Sequence, residues 1–288
     1  MPGSGAGSGW TDGEAQVGDV RLHWIEAGTG APVVLLHGFP EFGYAWRHQL
    51  PALAAAGFRA VAPDMRGYNL SDKPTGYRSY TVQKLAADVV GLVRELGAER
   101  VHLVGHDWGG IVAWHVAMHH PEVVDRLVVI NAPHPGVFRR EIRKPDQFIR
   151  SWYVYFFQLP RMPEWAIRRK DFALLERIFR YDPVRPGAFT DADIRRYKEA
   201  AARPGALTAM LSYYRALRIP RPEPVPVRAP TLVIWGMRDQ ALSERNTHGL
   251  EDWVRDLRVE RIPDSSHWVM SDAPERTNEL LAGFLRST

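Results

Sequence analysis

The chain has 288 residues, of which 45% are hydrophobic and 24% are charged, a composition typical of a soluble globular protein. It contains no cysteine, which excludes disulfide and thiolate chemistry. The net charge is only +4, so we expect the arginines to lie on a solvated surface and predict no nucleic-acid partner.

The N-terminal segment differs in composition from the rest of the chain. Residues 1–9 are rich in glycine and serine and lack a signal-peptide pattern. We therefore predict a flexible tail over residues 1–18. No apolar run is long enough to cross a bilayer, so the sequence predicts no membrane span and a cytoplasmic location.

Short apolar runs alternate with helical patterns in the first half of the chain. The patterns predict strands at 20–26, 33–36, 58–62, 101–104 and 127–130, and helices at 46–56, 82–96 and 109–119. Continuous apolar strands of this length are typical of a sheet that is covered by helices on both faces. The alternation therefore predicts an α/β fold with a mostly parallel sheet.

This alternation stops at Asn131-Ala132-Pro133-His134-Pro135. Aromatic-rich helical patterns follow at 152–157, 172–179 and 207–217, and strands return at 231–235 and 257–262 before a last helix at 274–285. We predict a helical cap over 134–226, inserted into a core made of 19–133 and 227–288. The densest basic stretch, residues 139–150 with 168–170, is interpreted as exposed helix faces.

The segment Gly105-His106-Asp107-Trp108-Gly109-Gly110 lies between a predicted strand and a predicted helix, which is the layout of a nucleophile elbow. Its central residue is an aspartate, whose carboxylate would form an alkyl ester when it attacks carbon. Alternatively, Asp107 only caps the following helix, and the residue alone leaves the two interpretations nearly even. The glycines favour an elbow because they relieve its crowding.

Hydrolysis of such an ester needs a base, which is typically a histidine oriented by an acid. Among eleven histidines we select His267, because it follows the last predicted strand. Asp239 follows the 231–235 strand and is the predicted acid, whereas Asp264 and Asp272 are expected to be solvated loop charges. The backbone N–H groups of Phe39 and Trp108 are the predicted oxyanion donors.

Three motifs together resemble the epoxide hydrolase family of the α/β-hydrolase superfamily. They are His37-Gly38-Phe39-Pro40-Glu41, the elbow at Gly105–Gly110, and Ser266-His267-Trp268. The resemblance implies the α/β-hydrolase fold with a helical cap, no metal or organic cofactor, and a small apolar epoxide as the substrate. Asp107, Asp239 and His267 also follow one another in the chain order of that superfamily.

The resemblance further implies two cap tyrosines that donate hydrogen bonds to the epoxide oxygen. The register of the matching segments assigns Tyr153 and Tyr214, with Tyr155 and Tyr213 as neighbouring alternatives. Phenols are protonated at neutral pH and can stabilise a developing alkoxide. A tyrosine in an aromatic helix can equally pack as core, so the assignment depends on the family pattern.

We expect an apolar substrate pocket in a monomer or a homodimer. The candidate lining residues, some of which could belong to the cap core instead, are Phe39, Trp108, Trp152, Phe156, Phe157 and Trp268. Two alternatives keep the fold: a haloalkane or haloacid dehalogenase with the same aspartate, or an apolar-ligand binder without turnover. Fluoroacetate dehalogenases carry arginines around the elbow for the substrate carboxylate, where this chain has Trp108 and Ile111.

Overall fold

The structure is a computed structural model that describes residues 9–286 and centres on an eight-stranded sheet. The strands are β1 (Thr11–Val17), β2 (Val20–Ala27), β3 (Ala31–Leu36), β4 (Phe58–Pro63), β5 (Val101–His106), β6 (Val124–Ile130), β7 (Thr231–Gly236) and β8 (Leu257–Ile262). Their order is β1-β2-β4-β3-β5-β6-β7-β8. Only the β1–β2 and β2–β4 pairs are antiparallel, so the predicted mostly parallel α/β sheet is confirmed.

Helices cover both faces of this sheet and also fill the insertion between β6 and β7. They are α1 (Gln49–Ala55), α2 (Val82–Glu95), α3 (Trp108–His119), α4 (Pro135–Glu141), α5 (Pro145–Arg150), α6 (Trp152–Phe156), α7 (Met162–Tyr181), α8 (Asp191–Ala202), α9 (Ala206–Arg215), α10 (Val269–Asp272) and α11 (Pro274–Arg286). The helix predicted at 46–56 begins later, at Gln49, because residues 43–46 form a 3-10 turn.

The continuous apolar runs of the central strands follow from this arrangement. In β3, Val33 and Leu35 belong to the core that α1 and α11 cover, whereas Val34 and Leu36 belong to the core beneath α2 and α3. Successive side chains of a strand point to opposite faces, so every position of a doubly covered strand is apolar. The two cores fix the carboxyl edge of the sheet, where the candidate site lies.

The predicted tail is wrong for residues 11–17. They form β1, which pairs with β2 along its whole length from Thr11 opposite Glu26 to Val17 opposite Val20. Among the residues of β1 only Val17 is buried, so the strand lacks the apolar alternation by which strands are recognised in a sequence. Its backbone hydrogen bonds to β2 place it at the edge of the sheet. The rest of the predicted tail, residues 1–8, lies outside the described residues.

The insertion contains helices α4 to α9 and no strand between residues 131 and 226 of the described chain. Two of its helices, α6 and α9, lie where aromatic patterns predicted them. The third, α7, is longer than its predicted core and is interrupted at Lys170, Asp171 and Phe172, whose φ angles are 49°, 54° and 58°. The helix α8 begins with a reciprocal capping box between Thr190 and Asp193.

Candidate active site

Asp107 occupies a strained turn between β5 and α3. Its backbone has φ 50° and ψ −119°, a conformation that costs energy in a residue with a side chain. The turn needs close backbone approach, because a Cβ atom on Gly109 would lie 2.2 Å from the carbonyl oxygen of Leu36. The Asp107 side chain makes no capping hydrogen bond to α3, so the structure does not use it as an ordinary N-cap.

The two carboxylate oxygens of Asp107 have different surroundings. Oδ1 accepts a hydrogen bond from the backbone N–H of Phe39 at 2.8 Å. Oδ2 lies 3.7 Å from Nε2 of His267, which is beyond hydrogen-bonding distance. One oxygen is therefore held by a fixed donor, whereas the other is unbonded on the side of the histidine. No hydrogen bond from the Trp108 N–H to Asp107 is present in the described residues.

His267 is oriented by Asp239, the predicted acid. Nδ1 of His267 lies 2.7 Å from Oδ2 of Asp239, so Nδ1 carries the proton that this hydrogen bond requires and Nε2 faces Asp107. Oδ1 of Asp239 accepts two backbone hydrogen bonds, from Ala241 at 2.7 Å and Leu242 at 2.8 Å. Asn131 donates a further bond to Oδ2 at 2.7 Å. The buried carboxylate is thus fully hydrogen-bonded.

The electrostatics of the His267–Asp239 pair favour the charged form of both side chains. Burial alone would lower the pKa of His267, but the carboxylates of Asp239, Asp107 and Asp182 raise it to about 10. Burial would likewise raise the pKa of Asp239, and the charge and hydrogen bonds of its partners lower it instead. In the free protein His267 is therefore an imidazolium. Loss of the Asp107 charge would remove one of the causes that raise the pKa of His267.

Tyr153 and Tyr214 face each other beside the elbow, with ring centroids 5.9 Å apart. Burial raises the pKa of each phenol, and the nearby Asp107 carboxylate raises it further. Both hydroxyls therefore stay protonated and available as donors at neutral pH.

The neighbouring tyrosines have other environments. Tyr213 is buried and donates its hydroxyl to the carbonyl oxygen of Arg66 at 2.7 Å, so this hydroxyl is already used within the core. Tyr155 is 53% exposed and packs on Phe148, with ring centroids 5.4 Å apart. Of the four candidate tyrosines, only the half-buried Tyr153 and the buried Tyr214 have a pKa that the Asp107 carboxylate raises.

Aromatic rings surround the two tyrosines. Tyr214 contacts Phe39, Trp108 and Phe157, with ring centroids 5.5, 5.1 and 4.9 Å away. Phe157 also packs on Tyr153 and on the half-buried Phe156. Four of the six predicted lining residues thus form one apolar cluster at the site.

The two remaining predicted lining residues, Trp152 and Trp268, do not belong to this cluster. Trp152 was expected to line the pocket, but its side chain is 64% exposed. Successive residues of a helix point in different directions, and α6 turns Tyr153 toward the site while Trp152 faces outward. Trp268 is buried against the cap residues Phe179 and Phe189 and donates its indole N–H to Asp182 at 2.7 Å. It packs the His267 loop against the cap.

Sequence patterns did not reveal several residues that hold the loops of Asp239 and His267 in place. Asp272 was expected to be solvated, yet it is buried and accepts hydrogen bonds from the Ser266 backbone at 2.7 Å and hydroxyl at 2.6 Å. It also accepts the backbone N–H of Arg185, a cap residue, at 3.0 Å. From the cap, Arg150 donates to the carbonyl oxygen of Asp239 at 2.7 Å. Both catalytic loops are therefore bonded to the cap.

His106, next to Asp107, supports the loop that carries His267. Its Nε2 lies 3.0 Å from the carbonyl oxygen of His267, and its Nδ1 lies 3.2 Å from Oε2 of the buried Glu41. Both ring nitrogens face oxygen atoms, and these two contacts fix the orientation of the imidazole.

Two further observations concern the described chain as a whole. Between residues 9 and 286, no three or more Asp, Glu or His side chains are grouped as a metal ion would require. No helix in that range combines the length and the hydropathy of a membrane span.

Comparison with known proteins identifies the class of protein to which this fold and this site belong. The α/β hydrolase fold family matches residues 31–274. A relative from Bacillus subtilis, the AB hydrolase superfamily protein YfhM, is 42% identical over 93% of this chain and 95% of its own length. Epoxide hydrolase 2 of Caenorhabditis elegans is 37% identical over 96% of this chain and 80% of its own length.

Solved structures agree with these relatives. An epoxide hydrolase from Bacillus megaterium, in a complex with its product (R)-3-[1]naphthyloxy-propane-1,2-diol, aligns with a TM-score of 0.89 and 33% identity. That alignment covers 96% of this chain and 100% of the other. The chain belongs to the epoxide hydrolase family of the α/β hydrolases, and the resemblance seen in the three sequence motifs is confirmed.

Proposed function

We propose that the protein hydrolyses apolar epoxides to vicinal diols through a covalent ester on Asp107. The observation that carries this proposal is the placement of two protonated tyrosines, the buried Tyr214 and the half-buried Tyr153, beside an elbow aspartate whose side chain makes no capping hydrogen bond. An epoxide needs both a nucleophile at carbon and an acid at oxygen, and this arrangement supplies both. The histidine and its acid then supply the base for the second step.

In the first step, Oδ2 of Asp107 attacks a ring carbon, because Oδ1 is held by the Phe39 N–H. The carbon–oxygen bond of the ring breaks, and the developing alkoxide takes a proton from Tyr153 or Tyr214. The product is a 2-hydroxyalkyl ester of Asp107. The His267 imidazolium returns the proton to the tyrosine and becomes neutral, which the loss of the Asp107 charge favours.

In the second step, neutral His267 takes a proton from water while the water oxygen attacks Cγ of Asp107. Oδ1 then carries the negative charge of the tetrahedral intermediate, and the Phe39 N–H, which already bonds it, stabilises that charge. The Trp108 N–H is proposed as the second donor. The bond between Cγ and the alkyl oxygen breaks, the diol leaves with the second proton of the water, and the Asp107 carboxylate and His267 imidazolium are restored.

The substrate class follows from the aromatic cluster. Phe39, Trp108, Phe156 and Phe157 surround the tyrosines with apolar surface, which favours epoxides with hydrophobic or aryl substituents. The naphthyl ether diol bound by the Bacillus megaterium relative has this chemistry. We propose aryl glycidyl ethers and styrene-oxide-like compounds as the first substrates to test. The cytoplasmic location and the monomeric or dimeric state stay predictions.

A trapped intermediate tests the mechanism directly. In His267→Gln the ester should form but persist, so intact-protein mass spectrometry should show one substrate mass added to the peptide that contains Asp107. In wild type, a single turnover in oxygen-18 water should place the label in the Asp107 carboxylate and leave the diol unlabelled. Label in the diol during the first turnover would mean direct attack of water on the epoxide.

Product analysis with epoxides and haloalkanes separates the alternatives. A dehalogenase would release chloride or bromide from haloalkanes without turning over epoxides, and a pure binder would retain the epoxide without product. The Trp108 ring packs edge-on against Tyr214, with ring centroids 5.1 Å apart, so a phenol rather than a second nitrogen donor adjoins the indole that would hold a halide. Loss of diol formation in Asp107→Ala is the matched control for enzymatic turnover.

A further inference from the structure

The outer surface of the cap exposes an unusual set of apolar side chains. Eleven large hydrophobic residues are exposed in the described chain, and seven of them lie between residues 148 and 165. We call these seven the exposed apolar set: Phe148, Ile149, Trp152, Tyr155, Leu159, Met162 and Trp165. Ile149 is 68% exposed and Trp165 is 60% exposed. Such a concentration is typical of a surface that binds a partner.

Positive charge accompanies this set. Residues 139–170 contain nine arginine or lysine and three aspartate or glutamate residues, whereas the whole chain has a net charge of +4. A groove of about 940 Å³, which begins two residues beyond α6, is lined by five arginines, at positions 161, 168, 169, 215 and 218. The apolar set and the groove share Trp165, and Leu159 and Met162 of the set are adjacent in sequence to the lining residues Pro160 and Arg161.

Most of the charge in this groove is not neutralised within the protein. Glu164 pairs with Arg215 at 2.7 Å, but Arg161 and Arg168 have no acidic partner among the described residues. The guanidinium of Arg169 lies 4.6 Å from the ring centre of Trp165, a cation–π contact that leaves its charge in place. Unpaired arginines beside exposed aromatic rings match a partner that is anionic and apolar at once.

We propose that this cap surface docks peripherally on an anionic phospholipid bilayer. Tryptophan and tyrosine favour the boundary between headgroups and acyl chains, and arginines beside them attract acidic headgroups. A second copy of the chain fits poorly, because a twofold contact would bring these arginines against one another. The inference does not depend on the proposed function.

The docking surface is connected to the candidate active site through segments of the cap. The short helix α6 presents Trp152 and Tyr155 outward and Tyr153 toward Asp107. Gln158, which lines the groove, donates to the carbonyl oxygen of Tyr214 at 2.9 Å. The docking surface and the two site tyrosines are therefore carried by the same cap segments, and apolar compounds dissolved in a bilayer would lie next to the cap.

Sedimentation with vesicles tests the proposal. The full chain should bind vesicles of equal parts phosphatidylcholine and phosphatidylglycerol at low salt, bind weakly to phosphatidylcholine alone, and dissociate as salt is raised. Arg161→Glu with Arg168→Glu should weaken binding by at least about tenfold, since each cation near an anionic surface contributes about fivefold. Ile149→Ser with Trp165→Ser should weaken it independently of salt.

Matched variants on other surfaces make the test specific. Arg94→Glu with Arg255→Glu changes the net charge equally at exposed positions outside the cap. Its loss of vesicle binding should be at most half of the loss in Arg161→Glu with Arg168→Glu. Leu70→Ser is the control for the apolar pair. Thermal unfolding and diol formation from a water-soluble epoxide should be unchanged in the arginine variants, which shows that they are folded.

Several outcomes would overturn the proposal. Equal binding to neutral and anionic vesicles, no binding to either, or an equal loss in the cap and control charge variants would each reject it. Binding that inorganic phosphate abolishes at matched ionic strength would indicate a site for a free anion. Concentration-dependent dimerisation that Ile149→Ser with Trp165→Ser removes, without vesicle binding, would assign the surface to a second copy.

Discussion

Replacement of Tyr214 by phenylalanine removes one proposed donor to the epoxide oxygen and keeps the ring that packs on Phe39, Trp108 and Phe157. Removal of one preorganised donor to a developing oxyanion typically costs about 10²–10³ in rate, or about 2.7–4 kcal/mol of barrier. We therefore expect the alkylation rate of Tyr214→Phe to fall by about 10²-fold or more. Hydrolysis of the ester, which uses His267 and the Phe39 N–H, should change by only a few-fold.

The two steps can be measured separately. Rapid quenching followed by intact-protein mass spectrometry gives the rate at which the Asp107 ester forms and the rate at which it disappears. Trp108 lies 5.1 Å from Tyr214 between ring centroids, so a change of tryptophan fluorescence can follow alkylation in stopped flow. Tyr153→Phe should show the same pattern, and the double variant should form no ester on the same timescale.

The neighbouring tyrosines provide matched controls. Tyr213→Phe loses the hydrogen bond to the Arg66 carbonyl, which should reduce the free energy of unfolding by about 1–3 kcal/mol and leave alkylation intact. Tyr155→Phe, on the exposed side of α6, should change neither. The reasoning is refuted if Tyr214→Phe alkylates at the wild-type rate, or if both steps slow equally.

Three other predictions follow from the network around His267. Because the pKa of buried His267 is raised from 6.5 to about 10, its contribution to stability should be complete below pH 6.5 and should be lost as pH rises toward 10; urea unfolding across this range should show that loss in wild type and a smaller one in His267→Gln. Asn131→Ala removes a donor to the Asp239 carboxylate and should slow ester hydrolysis more than alkylation in the rapid-quench assay, and equal slowing would contradict this. Asp272→Asn should lower the midpoint of thermal unfolding and slow ester hydrolysis, because it weakens the bonds that hold the Ser266 backbone and hydroxyl; unchanged hydrolysis would show that His267 holds its place without them.

Local features of the sequence were sufficient to predict the sheet and the elbow. The strand β3 is apolar at every position because two cores cover it, and the glycines around Asp107 mark a turn where backbones approach closely. The strand β1 could not be seen, because its backbone ladder to β2 leaves its side chains mostly exposed. Its polar sequence resembles a loop.

Features that depend on partners far away in the chain could not be predicted from the sequence. Asp272 looked like a loop charge because its donors include a cap residue 87 positions away, and sequence proximity does not reveal such a contact. Trp152 and Tyr153 are adjacent in a five-residue helix, too short for a periodic pattern to show which faces inward. The choice of Tyr214 over Tyr213 came from the family resemblance, since two neighbouring tyrosines have the same chemistry.

The hydrogen bonds that join the cap to the catalytic loops restrict how enzymes of this design can be rebuilt. Arg150 bonds to Asp239, the Arg185 backbone bonds to Asp272, and Asp182 receives the Trp268 indole N–H. A cap transplanted from a relative to alter substrate preference would therefore also replace supports of the Asp239 and His267 loops. Such a chimaera should regain full turnover only when the donor cap brings equivalent partners, so new specificity is easier to obtain by changing residues within the resident cap than by exchanging the cap whole.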